Sequence, residues 1–124
     1  TAYGVSAAME ALDDAGLTFC DENPACNRAG TIIGSGIGGI ATKCRDYAAF
    51  LTGGPRKFSP FIVPASIINS TAGELSILRH LRGPNLAIGT ACTSGLHAIA
   101  HFLDVTMTRR EHLAPLMLPV TDSF

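Results

Sequence analysis

The chain reads as an α/β fold, a mixed sheet with helices on both faces. Two short apolar runs of strand length, Thr31–Ile33 and Leu86–Gly89, are bounded by glycine or proline. Between and after them lie longer stretches with helical periodicity or helix-compatible composition, and this alternation along one chain is the signature of a layered α/β protein.

Taken in order, Val5, Ala8, Met9 and Leu12 fall at i, i+3, i+4 and i+7, so Gly4 to Ala15 is expected to form an amphipathic packing helix, with Gly16 placed to end it. Thr18 to Gly30, rich in Asp, Asn and Pro, is a surface loop. Thr31–Ile33 is a buried strand that runs into Gly34-Ser-Gly-Ile-Gly-Gly39, and Ile40 to Leu51 suits a helix. Thr52 to Pro60 is broken by glycine and proline and holds the adjacent basic pair Arg56-Lys57. A helix is expected from Ala65 to Arg82, its apolar face made by Ile68, Ala72, Leu75, Leu78 and Leu81, with Gly83 at its end.

The glycine stretch satisfies the spacing GxGxxG of dinucleotide sites. That fingerprint also needs a second strand ending in an acid about 20 residues on. The corresponding region here is the broken loop, which has no acid, so no cofactor is expected. Close backbone approach is the better account of these glycines.

Gly83-Pro84 is a turn, Leu86–Gly89 a strand, and from Thr93 the residues are small or helix-compatible. Cys92 therefore sits at a strand–helix bend, where unpaired backbone N–H groups and the positive end of the helix dipole favour a thiolate. A helix terminus is worth at most about 2 kcal/mol, which makes a better nucleophile but not a finished catalyst. The competing reading is a small hydrophobe buried at the junction. None of the four histidines is a good base for Cys92: His97 lies five residues on and round the helix, and His80, His101 and His112 lie near helix ends or in the tail.

Thr90-Ala-Cys-Thr-Ser-Gly-Leu-His-Ala-Ile99, preceded by Gly83-Pro-Asn85, resembles the nucleophile segment of the β-ketoacyl-acyl carrier protein synthases, condensing enzymes of fatty acid synthesis with the thiolase-like fold. Ile33–Gly39 and Gly54-Pro-Arg-Lys-Phe-Ser-Pro-Phe61 agree in order and spacing. The resemblance covers residues 3 to 103 and implies part of the N-terminal half of such a synthase. It implies Cys92 as nucleophile, Ile37, Ile62 and Ala91 beside the fatty-acyl pocket, and Arg56 and Lys57 as a docking patch for the acidic carrier protein. By the same resemblance the full-length protein is a homodimer without a cofactor, in the cytoplasm or in a plastid or mitochondrion. The second oxyanion donor and two catalytic histidines belong to the C-terminal half. A polyketide-type ketosynthase is the alternative of like chemistry, although Thr93-Ser-Gly95 fits the fatty-acid type better. A non-catalytic chain that binds a synthase subunit or carrier protein is the third reading.

Residues 104–124 depart from the family's pattern, and Pro115 and Pro119 break their one apolar run, so no central strand is expected there. A truncated, alternatively spliced or frame-shifted end would each give such a tail.

Composition sets the outer bounds. Charged residues are 15% and apolar residues 47% of the chain, against about 25% charged in an average domain. Such faces call for cover by further chain or by an obligate assembly. A net charge of −1 leaves no basic footprint for nucleic acid, and no apolar run approaches a membrane span. Cys20, Cys26, Cys44 and Cys92 have no metal-site spacing and are expected as free thiols, with a Cys20–Cys26 disulfide left open.

Overall fold

A computed structural model describes residues 1–108 and 119–122, with side chains followed to residue 104. Helix α1 (Ala2–Asp14) buries Gly4, Val5, Ala8 and Leu12, the stripe set by its periodicity. It stops where Gly16 turns left-handed at φ +65. The N–H groups of Gly16 and Leu17 bond the carbonyls of Asp13 and Leu12 at 3.0 Å each, satisfying carbonyls that the helix would leave open.

The following loop is tied down at several points. Asn23 Oδ1 accepts from the Ala25 N–H at 2.9 Å and starts a single 3₁₀ turn, Pro24–Asn27. Cys26 is buried and donates its thiol to the Cys20 carbonyl at 3.0 Å, and all four cysteines are free thiols. The carbonyls of Cys26 and Ala29 accept from the N–H groups of Arg82 and Gly83, both at 2.8 Å.

Strand β1 (Thr31–Ser35) is buried throughout. Ile33 faces a cluster with Ala8, Leu12, Ala72, Leu75 and Leu81, while Ile32 faces Ala98, Ile88 and Phe102 on the other side. Apolar contacts on both faces are what a parallel strand covered by helices requires. Helix α2 (Ile40–Gly53) stands further out, burying only Asp46, whose Oδ2 accepts from the Ser59 N–H at 3.2 Å.

The helix expected over 65–82 is two helices, α3 (Ile62–Ser66) and α4 (Ser70–Leu78). Ile67 is extended (φ −76, ψ 150). The Ser70 hydroxyl fills the gap by donating to the carbonyls of Ile67, at 2.8 Å, and Pro64. The end also comes early. His80 takes φ +55, and the Leu81 N–H bonds the Ser76 carbonyl at 2.9 Å. The turn swings Leu81 back into the core beside Leu75, two positions that a continued helix would set about 120° apart round its axis. Leu78, expected on the buried face, is 54% exposed.

Strand β2 (Asn85–Ile88) pairs with β1 in the register Ile32↔Leu86, and the Asn85 amide reaches back to the Ala72 carbonyl (2.9 Å) and the Ser76 hydroxyl (2.6 Å) on α4. Helix α5 (Ser94–Thr108) crosses the opposite face of the sheet and leads to β3 (Pro119–Asp122), which pairs with β1 at Ile32↔Pro119. The tail thus contributes a strand, but at the edge of the order β2-β1-β3, with proline at its first position, where the lost N–H is tolerated. A mixed sheet was the expectation. The described strands are all parallel, because each connection passes through helices that return the chain to the same end. Among the described residues, no helix is long and apolar enough to cross a membrane.

Candidate active site at the junction of β2 and α5

After β2 the chain makes one 3₁₀ turn, Ala91–Thr93, before α5 begins. Ala91 holds φ +52, a left-handed conformation that costs a non-glycine residue about 1–2 kcal/mol. Five hydrogen bonds over-determine it. Ser94, 3% exposed, accepts from the Thr90 N–H at 2.8 Å and donates to the Ala91 carbonyl at 2.6 Å. Thr93 Oγ1 bonds the Thr90 carbonyl and hydroxyl at 2.7 and 3.2 Å, and His97 Nδ1 lies 2.7 Å from Thr90 Oγ1. Strain held by its surroundings is characteristic of functional turns.

The turn presents Cys92 to solvent. Within this chain the thiol is therefore not enclosed at the junction. His97 Nδ1 is engaged with the Thr90 hydroxyl.

Cys92 and Ala91 line a cavity of about 870 Å³ with Ile37, the glycine stretch and the start of α5. Ile62, on α3, is not part of that lining, although Ala65 is. Arg56 and Lys57 lie elsewhere, in the exposed 3₁₀ turn Pro55–Lys57. Next to them Phe58 stacks on Phe50 with ring centroids 5.2 Å apart, which fixes the turn on α2. The sequence-predicted residues therefore form two groups, one at the cavity and one on the α2 side.

Close approach explains the glycines. A Cβ at Gly34 would lie 2.5 Å from the Ser94 carbonyl carbon and oxygen, and one at Gly39 would lie 2.1 Å from the Ala65 carbonyl oxygen. Bare backbone at Gly34 lets α5 start directly against β1, which sets Cys92 at the cavity. Sequence reasoning missed Ser94, whose neighbours at positions 90 to 93 drew attention first. It also missed Arg45 and Glu74, polar groups on α2 and α4 that line the same cavity. Nothing in linear spacing links residues on separate helices.

The sequence model of the β-ketoacyl synthase N-terminal domain matches residues 1–114. The chain belongs to the β-ketoacyl synthase family. A 3-oxoacyl-[acyl-carrier-protein] synthase 2 of Vibrio harveyi is 56% identical over 99 residues, which are 80% of this chain and 23% of that protein. The crystal structure of a β-ketoacyl synthase from Burkholderia phymatum matches with a TM-score of 0.70 at 26% identity, over 86% of this chain and 26% of that one. A ketosynthase in complex with a type II PKS acyl-carrier protein shares the fold, with a TM-score of 0.63 at 22% identity over 72% of this chain and 25% of that one. This β-ketoacyl synthase chain thus spans about a quarter of the length of the relatives it matches, and its fold is part of the thiolase-like architecture.

Proposed function

We propose that the chain is the nucleophile-bearing part of a 3-oxoacyl-[acyl-carrier-protein] synthase of fatty acid synthesis, with Cys92 as the nucleophile. The observation that carries this reading is an exposed cysteine on a left-handed turn, opening onto a cavity shared with Ile37 and Ala91. Family membership supplies the chemistry. The Cys92 thiolate attacks the carbonyl carbon of an acyl group carried on phosphopantetheine, the pantetheine thiolate leaves, and the chain is held as a thioester. Malonyl-carrier protein then loses carbon dioxide, and the resulting carbanion attacks the thioester carbon and expels the Cys92 thiolate. The Cys92 N–H is one donor to the oxyanion that forms in each attack.

Ile37 is 58% exposed on the cavity side and suits contact with an acyl chain. Arg56 and Lys57 form the docking patch for the acidic carrier protein, raising the encounter rate rather than the intrinsic chemistry. The full-length protein acts as a homodimer in the cytoplasm. The 124-residue chain by itself does not condense acyl groups, since the second oxyanion donor and the histidines that stabilise the malonyl-derived enolate belong to the other half of the family's fold.

The test is incubation of the chain with an acyl-pantetheine thioester, followed by peptide mapping by mass spectrometry. A single acyl adduct on the peptide containing Cys92, absent from C92A, is the expected result. Acylation of Cys20 or Cys44 in preference to Cys92 would overturn the assignment.

A further inference from the structure

A trans peptide points its C=O and N–H to opposite sides, and the chain contains no cis bond among its described residues. Whatever grips the Ala91 carbonyl therefore aims the Cys92 N–H. That carbonyl accepts both the Ser94 hydroxyl, at 2.6 Å, and the Ser94 backbone N–H. The same hydroxyl oxygen accepts from the Thr90 N–H at 2.8 Å, so one atom spans the turn from before Ala91 to after it. Among the described residues, no hydrogen bond takes the Cys92 N–H.

We propose that Ser94 is a positioning residue: its hydroxyl locks the Ala91–Cys92 peptide plane so that the Cys92 N–H stays free and faces the substrate carbonyl. This rests on the reading of Cys92 as nucleophile. Ser94 itself touches no reacting atom. It has no exposed surface to speak of and lies under the turn, against Gly34. Without the hydroxyl, the Thr90 N–H loses its partner and the Ala91 carbonyl keeps only the Ser94 backbone N–H, so the plane is held less tightly and can tilt. A tilted plane no longer aims the donor where it is needed.

Two measurements separate this role from a merely structural one. The first compares S94A with the unaltered 124-residue chain in two reactions of the same thiol. Acyl transfer from an acyl-pantetheine thioester passes through an oxyanion, and it should slow roughly 10- to 100-fold, at or below the cost of losing a donor in a finished site. Alkylation by iodoacetamide makes no oxyanion, and it should stay within about threefold by the same reasoning. Equal losses in both reactions, or none in either, would overturn the proposal. If instead the unaltered chain acylates a residue other than Cys92, the nucleophile reading itself has failed, which is a different outcome.

The second measurement needs no variant. In the unaltered chain, the Thr90 amide should exchange with deuterium more slowly than the Cys92 amide. Equal exchange, or a protected Cys92 amide, would also overturn it, whether or not S94A folds.

Discussion

Replacing Gly34 by alanine tests the contact on which the placement of Cys92 depends. The added Cβ would lie 2.5 Å from the carbonyl carbon and oxygen of Ser94 and 2.7 Å from the Gly95 nitrogen, whereas ordinary contact begins at 3.4 Å. These neighbours are backbone atoms, so no side chain can swing aside. Helix α5 must retreat from β1 by close to 1 Å, or the first turn of α5 must unwind. Either response loosens the packing of Ala98 and Phe102 on Ile32. Overpacking of this kind costs about 1–3 kcal/mol, which at a urea m-value of about 2 kcal/mol/M moves the midpoint down by roughly 0.5–1.5 M. The matched control is G73A in α4, where a Cβ would meet nothing within 4 Å. Alanine within a helix should there raise stability by about 0.5–1 kcal/mol. Urea unfolding followed by far-UV circular dichroism reads both. A G34A midpoint equal to or above that of the unaltered chain would refute the close approach of β1 and α5. Acyl transfer at Cys92 should fall in G34A and persist in G73A.

Thr31 is fully buried and its hydroxyl has no partner among the described residues, so T31V should leave the fold intact and raise stability by about 1 kcal/mol in the same assay; a loss of stability would mean that the hydroxyl is satisfied. Iodoacetamide mapped by peptide should label Cys92 first, while Cys26, fully buried and bonded to the Cys20 carbonyl, should react last. Labelling of Cys44 or Cys20 ahead of Cys92 would count against the special position of the bend. In a full-length relative, reversing the residues that correspond to Arg56 and Lys57 should weaken carrier-protein binding most at low salt, since exposed charges are screened within about 10 Å at 0.1 M. Turnover of a small pantetheine thioester should stay level; an equal drop with both substrates would make the pair structural.

Much of the molecule was legible in the residues themselves because the forces involved are local. Periodicity placed α1 and its buried stripe, Gly16 marked its stop, glycine and proline bounded β1 and β2, and the small residues from Thr93 announced α5. The order turn, strand, bend, helix around Cys92 could be read directly, as could the use of the glycines for close approach. Only the tertiary structure decided the rest. It split the helix over 65–82, because the carbonyls of Ala65 and Ser66 are drawn against Gly39 and Gly38 from a different part of the chain. It recruited Pro119–Asp122 as an edge strand and carried Ile62 away from the cavity lining. It also gave Ser94 its place beneath Ala91 and brought Arg45 and Glu74 to one cavity. These outcomes depend on which surfaces meet after helices have crossed the sheet, and such contacts join residues whose separation along the chain bears no relation to a helical or strand period.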